Sequence, residues 1–190
     1  MNKYSMLTNS RKNHNGMTFI EVLIALVILV TGILGAVALQ AVAKKSSFDS
    51  MQRSLASSLA QDIIERMRSN NANNINLYGV GSPFGGGNLV AGTDCSLLAS
   101  NCTPAQLASY DLFEWEQSLI GTGTKYGLLN VGGLVDGEGC IDIVGNRVTI
   151  AVSWQGRTKL ADGARSTTRD ANCGISGNKR RQVVVNAFIL

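Results

Sequence analysis

The sequence predicts an α+β fold. A long N-terminal helix crosses a membrane with its first half and packs on a small antiparallel sheet with its second. One further short helix joins them. Three observations predict this. From Met17 to Ala43 the chain runs 27 residues with a single charge, Glu21. Apolar residues then continue at helical spacing as far as Met67. Near the C-terminus, short segments rich in β-branched residues alternate around glycine-containing turns. A run of helix followed by runs of strand is the α+β pattern.

The helix comes first. At about 1.5 Å per residue, Val22 to Ala43 covers roughly 33 Å, enough for a hydrocarbon core of about 30 Å. Phe48, Met51, Leu55, Leu59, Ile63 and Met67 then recur every three or four residues. No proline or glycine interrupts from Ala36 to Arg68. The spacing predicts one helix from about Met17 to Ser69, about 80 Å long. Its second half lays an apolar stripe on the head domain.

Asn70 to Thr93 comes next, with clustered asparagines, then Gly79, Gly81, Pro83, Gly85, Gly86 and Gly87. These breakers predict a long loop. The triple glycine is no phosphate cradle, since no Lys-Ser/Thr comes after it. Thr103-Pro104-Ala105-Gln106 has the form of a capping box with proline in the first turn, so a second helix opens there. It carries Leu107, Tyr110, Leu112, Phe113, Trp115 and Leu119 and stops at Gly121.

Gly139 to Val144 and Arg147 to Trp154 flank Gly145-Asn146 and predict a hairpin, with Val148, Ile150, Val152 and Trp154 on one face. Arg181 to Leu190 predicts a third strand, and Tyr126 to Val131 a fourth. Between the hairpin and the last strand, Arg157, Lys159, Arg165, Arg169 and Lys179 outnumber Asp162 and Asp170. This basic loop has the charge to touch an acidic partner or a phosphate backbone, but a solvated loop explains it more simply.

The segment Gly16-Met17-Thr18-Phe19-Ile20-Glu21, after a short basic leader and before the apolar run, resembles the N-terminus of type IV prepilins and pseudopilins. The resemblance implies a cut by prepilin peptidase between Gly16 and Met17, and methylation of the new amine on Met17. That family usually has Phe where this chain has Met17. It also implies that Glu21 pairs with the N-terminal amine of a neighbouring subunit, which answers the cost of an unpaired acid in lipid, a few kcal/mol. The run from Cys102 to Asp111, with Trp115 beyond it, resembles the minor-pilin subgroup called PilV, the type IV pilus modification proteins.

The domain organisation expected is then a basic prepilin leader, residues 1–16; a membrane and filament-core half of the helix, 17–43; and a periplasmic head, 44–190. The leader carries Lys3, Arg11 and Lys12 without an acid, so the remainder keeps 14 basic and 13 acidic residues, a net charge of +1. The overall +4 therefore says little about partners of the processed chain. The leader charge places the N-terminus in the cytoplasm, although Lys44 and Lys45 on the far side weaken the asymmetry.

Cys95, Cys102, Cys140 and Cys173 form an even set in an outward-facing domain, as disulfides require. Three pairings are open. Short separation favours Cys95–Cys102, leaving Cys140–Cys173, worth roughly 2.5 and 3.8 kcal/mol by loop entropy. The alternative, zinc, lacks any C-x-x-C pair, and the one histidine, His14, lies in the leader.

Without histidine, the processed chain holds no Ser-His-Asp or Cys-His constellation. Glu114 and Glu116 stand two apart on a helix and diverge. Asp136, Glu138 and Asp142 lack the rest of a calcium-loop pattern. No catalytic residue, metal site or cofactor is expected. The resemblance implies a minor type IV pilin that primes or enters the pilus and supports adhesion or motility. Its partners would be the peptidase, the major pilin, other minor pilins and the inner membrane, which it crosses once. The alternatives are a type II secretion pseudopilin and a DNA-uptake pilin; DNA is the less favoured partner.

Overall fold

A computed structural model describes residues 16–96, 101–164 and 169–190. All of the leader except Gly16, and Arg165 of the basic loop, lie outside the described residues. The chain divides into two compact units, one ending at Ala43 and the other spanning Lys44–Leu190. Helix α1, Phe19–Ser69, supplies the first unit and the opening of the second. It starts two residues later than the spacing predicts. Thr18 is not yet helical, and its carbonyl accepts the Glu21 and Val22 N–H groups at 3.1 and 3.3 Å.

Within the first unit every described side chain is exposed, from Met17 through Val42. Thr31 satisfies its hydroxyl inside the helix, donating to the carbonyls of Val27 and Ile28 at 3.0 and 2.9 Å. Such back-bonding lets a hydroxyl sit in an apolar segment without an orphaned donor.

The second unit has its own core. From α1 it draws Gln52, Ala56, Leu59, Ala60, Ile63, Ile64 and Met67 and nothing earlier. Helix α2, Pro104–Ile120, packs beside them with Leu112, Trp115 and Leu119 buried. Its start is a complete capping box between Thr103 and Gln106, and Gly121 closes it at φ 71°. Left-handed backbone there favours glycine.

The main sheet has strands β3 (Glu138–Val144), β4 (Arg147–Gln155) and β5 (Arg180–Phe188), in that spatial order and antiparallel. Val148, Ile150, Val152 and Trp154 of β4 are all buried, as the alternation predicts. Ala151 and Ser153 on the opposite face are buried too, so the central strand is covered on both sides.

Two expectations need correction. Residues 126–131 do not add a strand to this sheet. They form a separate exposed hairpin, β1 (Lys125–Tyr126) with β2 (Leu129–Asn130). The run turns at Gly127 with φ 62°, so it is too short on either side of the bend to extend along the sheet. The asparagine-rich region is not loop throughout. Ala72–Gly79 is a 3-10 helix, capped by the Asn71 side chain, which accepts from the Asn73 N–H. Ile75 and Tyr78, three apart, are both buried, which matches its three-residue turn.

Beyond that helix, Phe84 pairs with Gly139 through two backbone bonds of 2.8 and 2.7 Å. A Cβ on Gly139 would lie 2.3 Å from the Trp115 ring, so only glycine admits this approach. Phe84 meets Trp115 edge-on at 5.8 Å. The Trp115 indole N–H donates to the Leu59 carbonyl at 2.8 Å, tying α2 to α1.

Candidate functional site

The predicted assembly residues sit together at the start of α1. Gly16 and Met17 are exposed and precede the helix, and Glu21 lies in its first turn. A carboxylate is favoured there, because the free N–H groups and the aligned peptide dipoles give that end a partial positive charge. The local fold thus presents the Gly16–Met17 bond on non-helical chain and places the acid one turn beyond it. The rest of α1's first half is long and apolar enough to cross a membrane, with none of its most apolar stretch buried. Phe19, Val27, Ile28, Leu34 and Leu39 project into the surroundings. In water such a continuous apolar surface is untenable, so lipid or other protein must cover it.

The four cysteines lie in the other unit. Cys95 is bonded to Cys102 and Cys140 to Cys173, with Cα atoms 6.0 and 5.9 Å apart. The first bond holds the chain entering α2. The second joins β3 to the segment just before β5. Glu138, Cys140 and Cys173 are the cysteine and carboxylate donors that converge there. The two sulfurs are spent on each other, and the Glu138 carboxylate accepts the Gly174 N–H at 2.8 Å. Asp136 stands apart on an exposed turn at φ 46°.

Two carboxylates organise the head in ways the sequence spacing did not reveal. Glu116, 2 % exposed, accepts the N–H groups of Gly85, Gly87 and Leu89 at 3.0, 3.1 and 2.9 Å. The glycine-rich loop therefore wraps an internal anion. Asp111 accepts from the Tyr78 hydroxyl at 2.6 Å and from Arg66 at 3.3 Å. Burial, then that bond to a carboxylate, raises the Tyr78 phenol above its ordinary range. The only advance signal for either acid was its place in α2 beside aromatic core residues.

The basic loop is likewise organised from within. Arg180, 5 % exposed, makes a bidentate pair with Asp162 at 2.6 and 2.9 Å. It also donates to the carbonyls of Ala171, Cys173 and Gly174. Chiefly because of Arg180, the Asp162 carboxyl is held below its ordinary 3.8. Asp49 of α1 accepts the Arg157 N–H and the Thr158 hydroxyl at 2.9 and 2.8 Å. Part of the positive charge thus serves internal pairing.

Comparison with known families gives two adjoining matches. Residues 11–37 match the prokaryotic N-terminal methylation motif, and residues 38–113 match the family described as type IV pilin Tt1218. No curated protein and no solved structure matches the chain. The matched residues include the Gly16–Glu21 segment, all of α1 and the Cys95–Cys102 bond, while the main sheet lies outside them. With its match to the methylation motif, its exposed apolar helix and its disulfide-bonded α+β head, the chain is similar to type IV pilins over residues 11–113.

Proposed function

We propose that this chain is a minor type IV pilin of the PilV kind, a structural subunit without catalytic activity. Prepilin peptidase cuts it between Gly16 and Met17, and the Met17 amine is methylated. Before assembly it crosses the inner membrane once, with the N-terminus in the cytoplasm and the head, residues 44–190, in the periplasm. It then joins the major pilin and other minor pilins, priming or entering the filament.

The observation that carries this reading is α1. Its first half is an uncovered apolar helix with one acid in its first turn, directly after an exposed Gly-Met bond. In a helix bundle with the same polarity, Glu21 of one subunit meets the amine of its neighbour, and each neutralises the other's burial cost. The cysteine pairs fit an oxidising compartment for the head.

Mass spectrometry of the protein from its native membrane tests the reading. The expected species begins at N-methylated Met17 and is four hydrogens lighter than its fully reduced form. Co-purification with sheared filaments is the second expected result. An intact leader in cells that make a prepilin peptidase overturns the processing step. Processed protein absent from filaments overturns the pilus role.

A further inference from the structure

The apolar run ends at Ala43, and Lys44 and Lys45 come immediately after it. Cations at that end oppose the charge asymmetry that orients a membrane helix, so they call for a separate use. The structure gives Lys45 distant company. A cleft of about 630 Å³ is lined by Lys45 of α1, Arg157 after β4 and Lys179 before β5, together with Val135, Ile175 and Asp136.

The cleft is held in shape. Asp49 fixes the backbone of Arg157 and the hydroxyl of Thr158. The Arg157 guanidinium lies 4.2 Å from the centre of the Phe48 ring. Gly156 donates to the Lys179 carbonyl at 2.8 Å, joining the two loop ends. All three cations are exposed, and among the described residues none is in an ion pair with a carboxylate. Among the described residues Asp136 is the one acid in the lining, against three cations. Val135 and Ile175 add exposed apolar surface beside the charges.

We propose that this cleft binds the phosphodiester headgroup of an anionic phospholipid where α1 leaves the bilayer. The inference rests on the membrane-spanning reading above. Lys45 is two residues, about 3 Å of helix rise, past the last residue of the apolar run. Its ammonium therefore lies within reach of the headgroup layer. Lysine and arginine at such a depth place their charges among lipid phosphates. Apolar side chains next to the cations suit an amphiphile, whose glycerol and upper acyl carbons adjoin its phosphate. A concave cleft of this size takes a headgroup, whereas a nucleic-acid duplex needs an extended convex or grooved basic face. Bound lipid would anchor the head at the membrane, and withdrawal of the subunit into a filament would require its release.

The test uses the full chain in neutral detergent and native mass spectrometry. Phosphatidylglycerol, phosphatidylcholine, glycerol phosphate and a short DNA duplex are titrated separately. Retention of one phosphatidylglycerol per chain is expected, with phosphatidylcholine and glycerol phosphate retained at least about 10-fold less well. In Lys45→Gln/Arg157→Gln/Lys179→Gln, phosphatidylglycerol retention should fall by about 10-fold or more. An unchanged circular-dichroism spectrum and intact disulfides would show that the variant folds. As a second variant, Lys159→Gln, outside the cleft, should bind as the wild type does. Equal retention of both lipids, or a triple variant that binds normally, overturns the proposal. Duplex binding that the triple variant abolishes, without lipid preference, overturns it in favour of nucleic acid. Reconstitution into phosphatidylcholine vesicles serves as the separate check on insertion. A chain that fails to insert defeats the membrane reading itself, whereas one that inserts without headgroup preference defeats only the present inference.

Discussion

Glu116 shows how one residue can fix a segment whose composition predicts only loop. Three N–H donors from Gly85, Gly87 and Leu89 point at its carboxylate. The loop can close this tightly because Gly85 adopts φ 130°, and a Cβ there would lie 2.3 Å from the Gly137 carbonyl oxygen. Glu116→Gln keeps the shape but replaces one acceptor oxygen with an amide donor facing an N–H. The expected loss is about 1–3 kcal/mol, because a buried donor is left unpaired. Amide hydrogen exchange at residues 85, 87 and 89 should speed up with little change at β4, whose protection tracks the global core. If all protected amides accelerate together, Glu116 holds the whole head and not the loop.

The elements that could be read from sequence were those with a local pattern. α2 declared both its ends, through the Thr103–Gln106 box and Gly121. The β3–β4 hairpin declared its turn at Gly145-Asn146, and the observed register pairs Val144 with Arg147 across it. The 3-10 helix at Ala72–Gly79 was hidden because asparagines signal loops, although Ile75 and Tyr78 stand at its period. The loop between β4 and β5 read as a basic surface, yet its organising contact joins Asp162 to Arg180, 18 residues apart, which no spacing rule predicts. That contact carries a pH dependence. The Asp162 carboxyl is depressed in the folded state, so it contributes stability above its ordinary 3.8 and loses it as pH falls below that value. Asp162→Asn should cost about 1.5–3 kcal/mol at pH 7, the range for hydrogen bonds to a charged group. Urea unfolding at a series of pH values checks it. The gap between wild type and variant should narrow as pH falls from about 4 toward 2; a gap that stays constant would mean that the ion pair contributes little.

At the scale of the molecule, anchor and head separate in their energetics although one helix runs through both. The core of the head takes nothing from α1 before Gln52, and the continuous uncovered apolar run lies in the unit that ends at Ala43. This division reflects where charges occur: one acid between Met17 and Ala43, then Lys44 and Lys45, then a mixed surface with an apolar stripe. Changes near the N-terminus should therefore alter assembly without altering the fold of the head. Glu21→Gln isolates that claim, since it removes the charge, keeps the size and leaves the helix able to enter lipid. The variant should still be cut after Gly16, reside in the membrane and form both disulfides. Its thermal unfolding should match the wild type within about 0.5 kcal/mol, as for a site remote from the core. On the proposed pairing of Glu21 with a neighbour's amine, its share of sheared filaments should fall by at least about 10-fold, because that amine would lack its counter-charge in an apolar environment. Quantifying the subunit in membrane and filament fractions from the same cells decides the matter. Wild-type incorporation of Glu21→Gln would show that apolar packing of α1 alone drives assembly, and would leave the acid only its favourable place at the helix start.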